Sequence, residues 1–322
     1  MAQAPLATAV SLAGGLGFLA AGTNTSSLTA SLSHAKKLLN HPEASPSPLS
    51  VGIGFIVWGS DLSTAVQAVR SFVPAAIWLF SPRLTTDLVT WSEKLREASG
   101  GKSQVWIQIG NVAAAVEVAG LCKPNAIVVQ GADAGGHGLA RGAGIISLVP
   151  EVADALDREG HGHIPLLAAG GISDGRGVAA ALTLGASGVV LGTRFLAAKE
   201  AEMKPGHAEE VLRTSDGGLN TIRTTLFDVV RGTNRWPAEY DGRGIANRSV
   251  EDEEKGMDSE ENRRLYEEAL AKGDGGWGKE GRMIAYAGTG VGLVREIRGA
   301  AEIVEELRRD AIAGLEQTRA RF

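Results

Sequence analysis

The chain has 322 residues, 44% of them hydrophobic and 21% charged, with a formal charge of −5. That is the composition of a soluble globular protein with enough apolar material for one large domain or two ordinary ones, and the absence of a dense basic cluster argues against a nucleic-acid surface. A single cysteine, Cys122, excludes an intrachain disulfide, no Cys/His cluster has zinc-site spacing, and no run approaches the ~20 apolar residues that cross a bilayer, so no metal and no membrane partner is expected and the cytoplasm is the default compartment.

In chain order, Ala2–Ala4 is a candidate first strand and Leu6–Ala13 a short helix. The small, apolar stretch Ala9–Gly22 has no charged segment before it, so it reads as a helix leading to a strand at Gly17–Gly22 and not as a signal peptide. Thr25–Leu39 is expected to be helical, with Ser and Thr as cap candidates. Val51–Trp58 is an apolar strand, Asp61–Ser71 a helix capped by Asp61 or Ser60, and Ala76–Phe80 a strand ended by Ser81-Pro82. A helix over Thr86–Ala98 stops at Gly100-Gly101. Then follow a strand at Gln104–Ile109, a helix at Val112–Leu121 and a strand at Ala126–Gln130. The remaining pairs are helix Ile146–Arg158 with strand Pro165–Ala169, and helix Asp174–Leu184 with strand Ser187–Leu191.

Near-continuous apolar strands alternating with helices indicate a parallel sheet covered on both faces. About eight strand–helix units predict an α/β fold of the (β/α)8 TIM-barrel type, with a doubly wound open sheet as the alternative. The barrel core is expected over about 1–203. Residues 204–322, with a highly charged helical stretch at Arg248–Lys272 and a final helix at Ala300–Leu315, are expected to elaborate the same single domain.

Three strand ends carry chemistry. After Gln130 comes Gly131-Ala132-Asp133-Ala134-Gly135-Gly136-His137-Gly138, a glycine-dense turn with an amide, a carboxylate and an imidazole. Glycines such as Gly135 and Gly136 let the backbone approach a ligand closely, and His137 on a barrel's C-terminal rim is a candidate general base. Asp133 is open to three roles: orienting His137, capping the loop, or facing solvent. Arg141 is open to two, attracting an anionic substrate or forming a surface ion pair. Gly170-Gly171 follow the seventh predicted strand, and Leu191-Gly192-Thr193 the eighth; in such barrels these two loops often bind phosphate through backbone N–H groups. No Walker-type lysine loop and no GxGxxG after a first strand is present, so flavin mononucleotide (FMN) fits better than ATP or NAD. Gln130 could then hydrogen-bond the flavin ring.

The segments VVQGADAGGHG, AAGGISDGRGVAAALTLGASGVVLGTRF and AYAGTGVG resemble the nitronate monooxygenases, long called 2-nitropropane dioxygenases, which are FMN-dependent TIM-barrel enzymes. The resemblance runs from about Leu6 through the last helix. It implies His137 as catalytic base, flavin contacts from Gln130 and Gly135, and FMN binding, largely at its phosphate, by Gly171 and Val190-Leu191-Gly192-Thr193. It also implies oxidation of a nitronate, or of a nitroalkane after α-proton abstraction, with O2 to a carbonyl compound and nitrite. An apolar rim, for which Phe18, Phe55, Trp58 and Trp78 are candidates, suits small nitro compounds; a homodimer is a possible assembly. The family begins with a full strand ending in Ala-Pro-Met and a loop, whereas here Gln3-Ala4-Pro5-Leu6 runs almost straight into Ala7–Val10, so the first strand is expected to be a stub or missing. Competing readings are a flavin-dependent enoyl-acyl carrier protein reductase using NAD(P)H, and a flavin-free scaffold.

Overall fold

The structure is a computed structural model that describes residues 3–23, 25–42 and 45–321. It opens with helix α1 (Ala4–Leu12), then β1 (Phe18–Gly22), α2 (Leu28–Leu38), β2 (Leu49–Ile56), α3 (Leu62–Phe72) and β3 (Pro74–Phe80). Next come α4 (Thr85–Ala98), β4 (Gln104–Ile109), α5 (Val112–Cys122) and β5 (Ala126–Gln130). A short strand β6 (Gly136–Leu139) precedes α6 (Ile145–Arg158), β7 (Leu166–Ala169), α7 (Gly175–Thr183), β8 (Gly188–Val190) and α8 (Thr193–Leu196). The C-terminal part holds α9 (Pro205–Arg213), α10 (Gly217–Asn220), β9 (Thr221–Thr224), α11 (Leu226–Arg231) and β10 (Tyr240–Ile245). It ends with α12 (Arg248–Glu254), α13 (Ser259–Ala271) and α14 (Ala300–Arg319).

Seven strands form one parallel sheet in the order β1-β2-β3-β4-β5-β7-β8. The fold is that of a TIM barrel, with seven parallel strands where eight were expected. Ala2 lies outside the described residues, and Ala4 begins a helix instead of ending a strand. The cause is local: alanine is the best helix former, Pro5 sits in the first turn, where its missing N–H costs nothing, and Thr8 returns its hydroxyl to the Ala4 carbonyl at 2.8 Å. Among the described residues β8 and β1 do not pair, so the barrel has a seam between them. Outside it, α14 packs against both α7 and α1, with Ile303 and Leu307 buried beside Leu6, Ala9 and Val10.

Side chains alternate along the strands as a period of two requires. Val51, Ile53, Phe55, Ile77, Leu79, Val105, Ile107, Ile127 and Val129 join the core shared with the helices. The opposite set points into the barrel, where Phe18 meets Trp78 edge-on at 5.2 Å and Trp106 at 5.1 Å. Gly52 is glycine because a Cβ there would lie 2.2 Å from the Phe18 ring.

A second sheet, antiparallel and ordered β6-β10-β9, joins the loop after β5 to the C-terminal part of the chain. His137 is in its edge strand, paired with Gly242. The position read as a glycine loop is therefore partly a strand, and the C-terminal elaboration contributes directly to the setting of His137.

Candidate active site

The loop after β5 is held by backbone contacts that only glycines permit. Gly131 N–H continues the ladder to Ala169 O at 2.8 Å. Gly170 and Gly171 have φ of +109° and +75°, the left-handed region that favours glycine, and a Cβ on Gly170 would lie 2.9 Å from Gly131 O. The Ala285–Gly290 segment ties these turns together. Thr289 N–H donates to Asp133 O at 3.0 Å and Thr289 Oγ1–H to Asp133 Oδ1 at 2.9 Å. Gly288 N–H donates to Thr193 Oγ1 at 3.0 Å. Thus the loop after β5 and the turn after β8 are both hydrogen-bonded to one C-terminal segment, and the turn after β7 packs against it, a Cβ on Gly290 lying 2.9 Å from Gly171 O. A Cβ on Gly136 or Gly192 would meet nothing within 4 Å, so both backbones border open space.

His137 Nε2 lies 2.8 Å from Asp228 Oδ2, with side-chain exposures of 13% and 5%, so the contact is shielded from water. An ionised carboxylate only accepts, so this contact bears on which ring nitrogen carries the proton. The Trp236 indole stacks flat on the imidazole, with centroids 3.7 Å apart and planes 7° apart, and Tyr286 stands 5.2 Å from it. Burial, reinforced by the Asp228 carboxylate, pushes the Tyr286 phenol up to about 12, so Tyr286 stands beside His137 as a neutral group. Trp58 and Tyr240 flank Trp236 at 5.3 and 6.2 Å, and Phe80 packs against Tyr240 at 5.5 Å.

Gln130 Nε2–H donates to His137 O at 3.1 Å, fixing the strand that carries the imidazole. Arg223 pairs with Asp241 at 2.5 Å, and Arg243 donates to Ala132 O at 3.1 Å. Burial, then the neighbouring Arg223, lowers the Arg243 guanidinium. A cavity of about 680 Å³ is bounded by His34, His207, Trp277 and Tyr286, and one of about 210 Å³ by Gln108, Gln130, Leu139 and Tyr240. No group of three potential metal-ligating side chains occurs among the described residues.

The profile of the nitronate monooxygenase family matches residues 92–310. A nitronate monooxygenase of Metarhizium robertsii, npaC, is 49% identical over 315 residues, spanning 96% of this chain and 87% of that protein. The chain belongs to the nitronate monooxygenase family. It is accordingly an oxidoreductase of a generally flavin-dependent family that acts on small molecules with oxygen. A nitronate monooxygenase of Neurospora crassa is 39% identical, covering 97% of this chain and 86% of the other. In solved structures the fold is shared with a nitroalkane oxidase from Streptomyces ansochromogenes, at a TM-score of 0.75 and 23% identity over 98% of this chain and 94% of that one. FabK from Thermotoga maritima has the same TM-score and identity over 100% and 92%; at such identity the likeness concerns the fold alone.

Within this family member, Gln130, Gly135, Gly136 and His137 lie on one segment, whose start touches Gly170 and Gly171, while Val190, Leu191, Gly192 and Thr193 follow on the adjacent strand, Ala169 pairing with Val190. Asp133 caps the loop through Thr289 and does not touch His137. Arg141 is exposed. Of the four aromatic rim candidates only Trp58 reaches the surroundings of His137: Phe18 and Trp78 lie in the barrel, and Phe55 packs outward on Trp91 at 5.4 Å. Asp228, Trp236, Tyr240 and Tyr286 were not found from the sequence. The one available signal was AYAGTGVG, whose glycines mark a close backbone approach. No helix among the described residues is long and apolar enough to cross a membrane.

Proposed function

We propose that this enzyme binds FMN and oxidises alkyl nitronates, and nitroalkanes after α-proton removal by His137, with O2 to a carbonyl compound and nitrite. The observation that carries the reading is the imidazole at the barrel mouth, its Nε2 bonded to a buried carboxylate. An α C–H flanked by a nitro group is acidic enough for a neutral imidazole to act on.

The residues fit a flavin nucleotide. Gly170 and Gly171 on one side, and Val190, Leu191, Gly192 and Thr193 on the other, form two adjacent turns, and Gly171 and Gly192 are exposed. Open space borders Gly192 and Gly136. Thr193 accepts from Gly288 N–H and keeps its own hydroxyl hydrogen for a phosphate oxygen. Gln130 spends one amide N–H on His137 O and keeps Oε1, which lies against Gly138, for the ring. Bound FMN would supply the electron acceptor for the nitronate. The aromatic side chains Trp58, Trp236 and Tyr240 shape a lipophilic entrance and keep water from the imidazole.

The test is turnover of neutral nitroalkanes and of preformed nitronates by His137→Ala, with nitrite release and flavin content measured on one sample. Nitroalkane turnover is expected to fall by on the order of 10²-fold or more, with more activity retained on nitronates. Equal retention on both substrates would remove His137 from the role of base, and protein that takes up no FMN on reconstitution would overturn the flavin assignment.

A further inference from the structure

We infer that Asp228 is the positioning residue for His137: it holds the imidazole proton on Nε2 and so makes Nδ1 the basic atom. The inference rests on His137 being the base. Asp228 is well placed to fix a tautomer because it is itself fixed. In the first turn of α11, its Oδ2 faces His137 Nε2 at 2.8 Å, while its Oδ1 accepts from Thr233 Oγ1–H at 3.0 Å. Thr233 N–H also donates to Asp228 O at 2.8 Å, and Gly232, with φ +66°, makes the left-handed turn that brings Thr233 back. Both carboxylate oxygens thus have assigned partners. The other titratable or charged groups facing the pair are Tyr286, kept protonated by burial, and Arg231, 5.8 Å from the Tyr286 ring centroid.

In the proton-transfer step the substrate C–H bond breaks, its electron pair becomes the C=N bond of the nitronate, and the proton goes to Nδ1. The resulting imidazolium keeps Nε2–H on Asp228 and lies under the Trp236 face. Both a carboxylate partner and an aromatic face stabilise a cation there.

The geometry predicts an unusual mutant. In Asp228→Asn, Thr233 still donates to Oδ1, so the amide presents Nδ2 to His137. Nδ2 can only donate, so Nε2 must accept, the proton moves to Nδ1 and the basic atom is lost. Adding Thr233→Val frees Oδ1 to turn toward Nε2 and restores the original tautomer.

Two-bond 15N–1H spectra of the labelled, FMN-reconstituted protein, with His137 assigned by its loss in His137→Ala, are expected to show Nε2–H in the wild type. Asp228→Asn is expected to show Nδ1–H, and the double variant Nε2–H again. Nitroalkane kcat is expected to drop on the order of 10²-fold in Asp228→Asn, with turnover of preformed nitronates much less affected, and to recover in the double variant. A wild-type Nδ1–H signal overturns the inference and needs no variant. So does an Asp228→Asn protein with the wild-type tautomer, or a loss that falls equally on both substrates. The spectra report the tautomer whether or not His137 proves to be the base, so the two ideas fail separately.

Discussion

Gly135 sits where two backbones pass too close for any side chain. A Cβ there would lie 2.4 Å from Ala287 C and from Gly288 N, and a Cβ on Gly288 would lie 2.4 Å from Asp133 O. Rigid backbone cannot swing aside as a side-chain end can, so Gly135→Ala must displace the Ala287–Gly288 segment and, with it, Tyr286. The expected cost is about 1–3 kcal/mol, read as a lower Tm by calorimetry, with reduced flavin retention after gel filtration. A wild-type Tm and full flavin content would show that the loop shifts freely. At this scale the sequence was informative where one residue type has one physical use. The glycines of the strand ends and the histidine among them stood out without partners. Carboxylates did not: Asp133, four residues from His137 in sequence, is spent on Thr289, while Asp228, 91 positions away, holds the imidazole. Local spacing carries no information about a contact that a second sheet creates.

Between elements, the same contrast follows periodicity. Gln104–Ile109 and Ala126–Gln130 were legible to the residue because apolar, β-branched runs bounded by helices have few other readings. The antiparallel sheet was not. Two of its three strands read Gly136-His-Gly-Leu and Tyr240-Asp-Gly-Arg-Gly-Ile, and glycine is a poor strand former. In place, those glycines are packing devices: a Cβ on Gly242 would lie 2.8 Å from Tyr286 Cε1, and one on Gly244 2.8 Å from Phe227 Cε2. The charged stretch Arg248–Lys272 reads as a solvated face, and Arg263 and Arg264 do pair with Glu267, Glu261 and Glu268 at the surface, while α12 and α13 also bury Ser249, Asp252 and Asn262, with Arg282 paired to Asp252 and donating to Asn262 Oδ1 at 3.0 Å. What links these elements to the barrel is the Ala285–Gly290 segment, and Thr193 is its attachment to β8. Thr193→Val keeps the shape and removes the acceptor of Gly288 N–H, leaving a partly buried donor unpaired at about 1–3 kcal/mol. The expected result is faster amide hydrogen exchange at Gly288 and Thr289 and weaker FMN retention, with the strands β2 to β5 unchanged. Exchange that rises uniformly over the whole barrel would mean that Thr193 acts on global stability instead.

Over the whole molecule, the barrel is sealed from outside at its seam by α14 and α1, and the about 680 Å³ cavity is bounded by α1, α2, α9 and the Trp277 ring. The seam was only partly legible: Gln3–Leu6 signalled a short first element, but the helical start imposed by Ala4 and Pro5 required the structure. One wall of the cavity makes stability depend on pH. His207 stacks on Trp277 with centroids 4.7 Å apart, and burial holds its imidazole down to about 4, from an ordinary value of 6.5. Between those values the unfolded chain binds a proton that the native chain does not, so protonation favours unfolding. The contribution of His207 is fully present above pH 6.5, is lost progressively as the pH falls toward 4, and changes no further below that. His207→Phe keeps a ring against Trp277 and removes the titration. Its Tm is therefore expected to decline less steeply than that of the wild type between pH 6.5 and 4, whatever the two absolute values. Parallel curves over that interval would mean that His207 protonates as readily in the folded protein as in the unfolded chain, and that the cavity wall admits the charge.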